Sequence, residues 1–136
     1  MASEFARNLI KTHEGLRLKP YKDSLGIWTI GYGRNLEKGI SVDEAREMFE
    51  NDLIEAEVTI INIFGMEIFG IEERRIGVLL DLAFNLGEPR LRLFKNFIEA
   101  VNARDWIKAA AELKDSKWYG QVGKRGPENV ELILQG

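Results

Sequence analysis

The chain has 136 residues, 45% hydrophobic and 30% charged, with 19 Lys plus Arg against 22 Asp plus Glu for a net charge of −3. This length suits one folding domain that buries roughly two-thirds of its unfolded surface, and the composition excludes the disordered and fibrous classes. The absence of cysteine excludes disulfide frameworks and thiolate metal sites, and the acidic balance argues against nucleic-acid binding, which favours a basic domain.

From Ser3, a candidate N-cap, to about Thr12, the apolar residues Phe5, Ala6, Leu9 and Ile10 recur at helical spacing. Glu4, Arg7, Asn8 and Lys11 interrupt them, so no signal-peptide apolar region is present; cytoplasmic synthesis is expected, with release by some other route if the target lies outside the membrane. Between Gly15 and Ile40 the texture changes to glycines at 15, 26, 31, 33 and 39, Pro20, and the run Ile27-Trp28-Thr29-Ile30 beside Tyr32. Such a segment predicts a small twisted antiparallel sheet with a turn at Asp23–Gly26.

Ser41-Val42-Asp43-Glu44 has the capping-box form and opens a helix. Its stripe of Ala45, Met48, Phe49, Leu53, Ala56 and Ile60 carries it to about Ile63, roughly 35 Å, long enough to join two lobes. Val58–Ile71 is the most apolar stretch but too short to span a bilayer; it predicts core helix plus turn, and no stable membrane insertion is expected. Glu72–Leu86 is a second strong helix, with Ile76, Leu79, Leu80, Ala83 and Phe84 inward and Gly87 as its stop. Shorter helices are expected at about 90–103, 105–114 and 127–135, with no repeat or flexible linker. The expected architecture is α+β in a single domain: a β lobe over 13–40, a bridging helix over 41–63, and a helical lobe of 1–12 plus 64–136, with a cleft between the lobes.

Glu14 follows the first helix and precedes Gly15, where a carboxylate can leave the helical surface; taken alone it reads as a solvated carboxylate mildly disfavoured by the helix dipole. Asp23, alone, reads as an Asx turn. Together they supply what glycoside hydrolysis requires, a carboxylic acid to protonate the departing oxygen and a carboxylate to handle water on the opposite side. Thr29 offers a hydroxyl that donates to a carboxylate and accepts from a water, or is simply strand filler. Gly31 and Gly33 allow close approach of backbone to a bulky sugar, or answer turn geometry alone. The single histidine, His13, excludes a multi-histidine metal cluster, and no cofactor is expected. Trp118 and Tyr119 suit either sugar stacking or a core.

The pattern Glu14-Gly15, Tyr21-x-Asp23-x-x-Gly26-x-x-Thr29-Ile30-Gly31-x-Gly33 resembles that of the phage-type lysozymes, glycoside hydrolase family 24. Arg74-Arg75, Ala83-Phe84-Asn85-Leu86-Gly87, Ser116-Lys117-Trp118-Tyr119 and Arg125 extend the resemblance over nearly the whole chain. It implies a lysozyme-like fold and a monomeric muramidase acting on peptidoglycan glycan strands, hydrolysing the β-1,4 bond between N-acetylmuramic acid and N-acetylglucosamine. In that role Glu14 would be the general acid, while Asp23 and Thr29 hold the attacking water. Inversion would set the carboxyls roughly 6.5–9.5 Å apart. Gly31, Tyr32 and Asn85 would support the substrate, and Arg125 would pair with Glu14.

Three features depart from the family. Arg34 stands where many members have histidine, the segment between Gly33 and Ser41 is short, which implies a reduced small lobe, and the end of the chain, GPENVELILQG, is scarcely basic. Two rival activities are a lytic transglycosylase, which cuts the same bond without water, and a non-catalytic wall-binding or phage structural module.

Overall fold

In a computed structural model describing residues 1–136, helix α1 (Glu4–Glu14) starts where the Ser3 hydroxyl accepts the Ala6 N–H at 3.1 Å. It stops where the Gly15 N–H, at φ +72°, closes on the Lys11 carbonyl at 2.8 Å. The expected antiparallel sheet follows and has three strands, in the order β1 (Arg17–Lys22), β2 (Trp28–Gly31), β3 (Arg34–Asn35). Tyr21 faces Thr29 and Lys22 faces Trp28, but Arg17 already faces Gly31, so four steps along β1 match two along β2. Pro20 lies inside this irregularity. Having no N–H to give the ladder, it is tolerated because β1 is an edge strand.

A short 3-10 turn (Leu36–Lys38) leads to α2 (Val42–Phe64). The capping box forms as the sequence requires: the Ser41 hydroxyl accepts the Glu44 N–H at 3.1 Å, and Glu44 Oε1 accepts the Ser41 N–H at 3.0 Å. A second 3-10 turn (Met66–Gly70) separates α2 from α3 (Glu73–Leu86), which ends at Gly87. There follow α4 (Glu88–Leu91), α5 (Lys95–Asn102), α6 (Trp106–Lys114), α7 (Lys117–Gln121) and α8 (Arg125–Gln135). The architecture is α+β, and no helix is long and apolar enough to cross a membrane.

The chain divides into two compact units, Met1–Arg46 and Glu47–Gly136. The hydrophobic core belongs to the second, where Ile60, Leu79, Leu82, Phe97, Leu113 and Ile133 are fully buried. In the first, Thr29 is the one buried residue. Helix α1, expected with the helical lobe, groups with the sheet instead. Its C-terminal turn explains why: Lys11 Nζ sits 5.4 Å from the Tyr32 ring centroid, and the Glu14 side chain lies on Gly33. Phe84, expected inward, is 41% exposed and leans on Phe49 with ring centroids 5.7 Å apart. On α3 its position lies on the side away from the buried face formed by Arg75, Val78, Leu79 and Leu82.

One buried cation organises the second unit. Arg75, 9% exposed, donates from Nε to the Ile133 carbonyl at 2.8 Å and from Nη2 to the Leu134 carbonyl at 3.4 Å. It also pairs with Glu72 at 2.9 Å and lies 4.4 Å from the Trp106 ring centroid. It thus satisfies carbonyls at the end of α8 that no helical N–H can reach. Arg75→Met is expected to lower stability by about 2–4 kcal/mol, from a lost charge-assisted hydrogen bond and a cation–π contact. The check is a urea titration, and a wild-type midpoint would show that these contacts do not hold in solution.

Candidate active site

All three residues of the expected catalytic set lie in the first unit, each fixed differently. Glu14 is the last residue of α1, where the sequence suggested a position just beyond it. The helix extends this far because the Gly15 N–H still closes on the Lys11 carbonyl. Glu14 is an exposed residue whose carboxyl end rests on the Gly33 backbone: a Cβ built at Gly33 would overlap Oε2 and stand 2.7 Å from Cδ. The neighbour of Gly33 is therefore Glu14, rather than an open approach path for sugar. Gly31, by contrast, has φ +70° and nothing near its missing Cβ, so backbone conformation alone accounts for it.

Asp23 closes the β1–β2 hairpin. Its N–H donates to the Ile27 carbonyl at 2.9 Å, and its carbonyl accepts the Gly26 N–H at 3.0 Å. Its Oδ1 accepts from the N–H groups of both Leu25 (2.8 Å) and Ile27 (2.9 Å), the Asx turn read from the sequence. Oδ2 takes no hydrogen bond from the protein, so one carboxylate oxygen is anchored and the other is available. Thr29, 4% exposed on the central strand, donates its hydroxyl hydrogen to the Ile27 carbonyl at 2.8 Å. The hydroxyl is thus not a donor to a carboxylate, as the sequence suggested; its oxygen is left as an acceptor. Ile27, in the hairpin loop, orients both side chains through its N–H and its carbonyl.

Tyr32 is exposed beneath Lys11. The other two expected site residues lie in the second unit. Asn85 Oδ1 accepts the indole N–H of Trp118 at 2.9 Å, and Trp118 is core rather than a sugar platform. Arg125, expected opposite Glu14, has its Nε 3.2 Å from Asp81 Oδ2, which also accepts from Asn129 at 2.8 Å. Asp81 and Asn129 escaped the sequence reading because their link joins positions 48 apart, with no local pattern to announce it.

Arg34 acquires a role. Its guanidinium meets Glu44 Oε2 at 3.0 Å and Oε1 at 3.2 Å, tying β3 to the capping box of α2. The Ser41 N–H first, then Arg34, then the Ser41 hydroxyl hold the Glu44 carboxyl down from 4.5 to about 2. A lowered folded value means this contribution is full above the unfolded value and fades as pH falls from about 4.5 towards 2. Arg34→Ala is expected to raise the Glu44 titration midpoint, followed by NMR of the side-chain carboxyl, while leaving it below 4.5 because Ser41 remains. An unmoved midpoint would mean that the pair does not form in solution.

Comparison with known proteins adds a family. The family model described as phage lysozyme matches residues 11–129. The chain is 25% identical to "Probable T4-type lysozyme 2" of Dictyostelium discoideum, covering 96% of this chain and 94% of that one. It is 31% identical to an "Endolysin" of Acyrthosiphon pisum secondary endosymbiont phage 1, covering 92% and 86%. It is also 28% identical to the "Pre-baseplate central spike protein Gp5" of Enterobacteria phage T4, covering 94% of this chain but 27% of that protein.

Proposed function

Since this chain belongs to the phage lysozyme family, we propose that it is a lysozyme-type peptidoglycan hydrolase, a glycosidase that cleaves the β-1,4 bond between N-acetylmuramic acid and N-acetylglucosamine. The observation that carries the reading is the state of Asp23 and Thr29. The turn anchors one oxygen of Asp23 and leaves the other open, while Thr29 has its hydroxyl hydrogen committed to Ile27. Two acceptors of this kind suit a water molecule whose hydrogens are both engaged and whose lone pair is directed at a sugar carbon.

In the proposed reaction Glu14 gives its proton to the glycosidic oxygen as that bond breaks. Water adds to the anomeric carbon from the opposite face, and its proton passes to Asp23. One water is consumed, no covalent sugar–enzyme bond forms, and the configuration inverts. Tyr32, exposed in the same unit as Glu14, is proposed to support the substrate. The reaction as written needs no cofactor.

Likeness to about a quarter of a phage spike protein favours a second reading, that of a wall-directed module within a phage particle. Purified peptidoglycan separates the two. Loss of turbidity with release of soluble reducing ends is expected; sedimentation with the wall and no loss of turbidity would leave only the module.

A further inference from the structure

We propose that Gly33 is a positioning residue for Glu14, its missing side chain being the slot in which the glutamate carboxyl is held; the catalytic part of this inference rests on the reading of Glu14 as the acid. A Cβ at Gly33 would fall on Glu14 Oε2, 2.7 Å from Cδ and 3.3 Å from Cγ. The entire end of the glutamate side chain thus lies against this one glycine. Elsewhere Glu14 is exposed, at the end of a helix, where a long side chain is free to spread over several rotamers. Contact with Gly33 selects one of them and sets Oε2 against the backbone.

Backbone conformation does not explain this contact. Gly33 has φ +77°, but Gly39, at φ +70° in the same unit, has nothing within 4 Å of its missing Cβ. Both have positive φ, so an alanine at either position meets backbone strain, and at Gly39, with ψ −157°, it enters a region all but reserved for glycine. Only at 33 does it also displace a carboxyl. A general acid acts through the direction of its proton, and displacement by about an ångström costs such a group up to about 100-fold in rate.

The test compares Gly33→Ala with Gly39→Ala, each alone and combined with Glu14→Ala, by thermal unfolding and by kinetics on purified peptidoglycan. Gly33→Ala is expected to lower the unfolding temperature more in the wild-type than in the Glu14→Ala background, whereas the cost of Gly39→Ala should be the same in both. The kcat of Gly33→Ala is expected to fall about 10–100-fold with KM near the wild-type value, and its pH–rate profile to shift, whereas Gly39→Ala changes neither. If Gly33→Ala alone fails to fold, folding of the Glu14→Ala/Gly33→Ala double variant supports the slot. A cost of Gly33→Ala that is the same in both backgrounds, or a double variant that does not fold, overturns the proposal. The stability coupling involves no catalysis, so a wild type that cuts no wall would refute the hydrolase reading and leave the Gly33–Glu14 contact to stand or fall separately.

Discussion

Glu14→Gln is expected to lower the rate of wall hydrolysis by about 10²–10⁴-fold while leaving the fold intact. Glutamine has nearly the size and shape of glutamate, so it fits the same place against Gly33, but its amide cannot deliver an acid proton to a departing sugar oxygen. Stability should hold or rise slightly. Glu14 ends α1, where the exposed carbonyls of the last turn disfavour a negative charge. Initial rates of turbidity loss, measured beside thermal unfolding of the same preparation, check both halves of this expectation. A glutamine variant that keeps more than about a tenth of the wild-type rate would remove Glu14 from the acid role.

Asp23 carries the second large effect, and two substitutions divide its structural part from its chemical part. Asparagine retains an Oδ1 that accepts the Leu25 and Ile27 N–H groups, so the hairpin should keep its stability; without a negative charge, it cannot take a proton from water. Asp23→Asn is therefore expected to lose about 10²-fold or more in kcat at nearly unchanged unfolding temperature. Asp23→Ala removes the turn acceptor as well, and should lose similar activity together with about 1–2 kcal/mol of stability. Activity near wild type in the asparagine variant would refute the base role. Equal destabilisation by both substitutions would refute the Asx turn as the source of the structural part.

Legibility of the sequence followed the range of the interaction. The Ser41–Glu44 capping box, the Asp23 turn, the placement of Thr29 in a strand and the Gly87 stop all depend on groups a few residues apart, and all were readable. Arg75 meets carbonyls 58 and 59 positions away, and Trp118 meets Asn85 across 33. Periodicity carries no record of such pairings. Helix α7 was missed because five residues are too few to show a period, although Ser116 caps it by accepting the Tyr119 N–H. In the site itself, residue types suggested two carboxylates and a hydroxyl, but not which atoms are already occupied. Thr29 spends its hydrogen on Ile27, and Gly33 serves Glu14; both facts depend on the path of the chain through the sheet and its turns.

The most direct test of two-carboxylate hydrolysis is the identity of the first product. Purified peptidoglycan would be digested briefly, and the released fragments followed at once by mass spectrometry and by NMR of the anomeric protons. Water addition with inversion predicts fragments one water heavier per cut, each ending in a free reducing sugar that first appears as the α anomer. A 1,6-anhydro end would instead indicate a transglycosylase, and a β anomer a retaining mechanism; either result would contradict the roles assigned to Asp23 and Thr29.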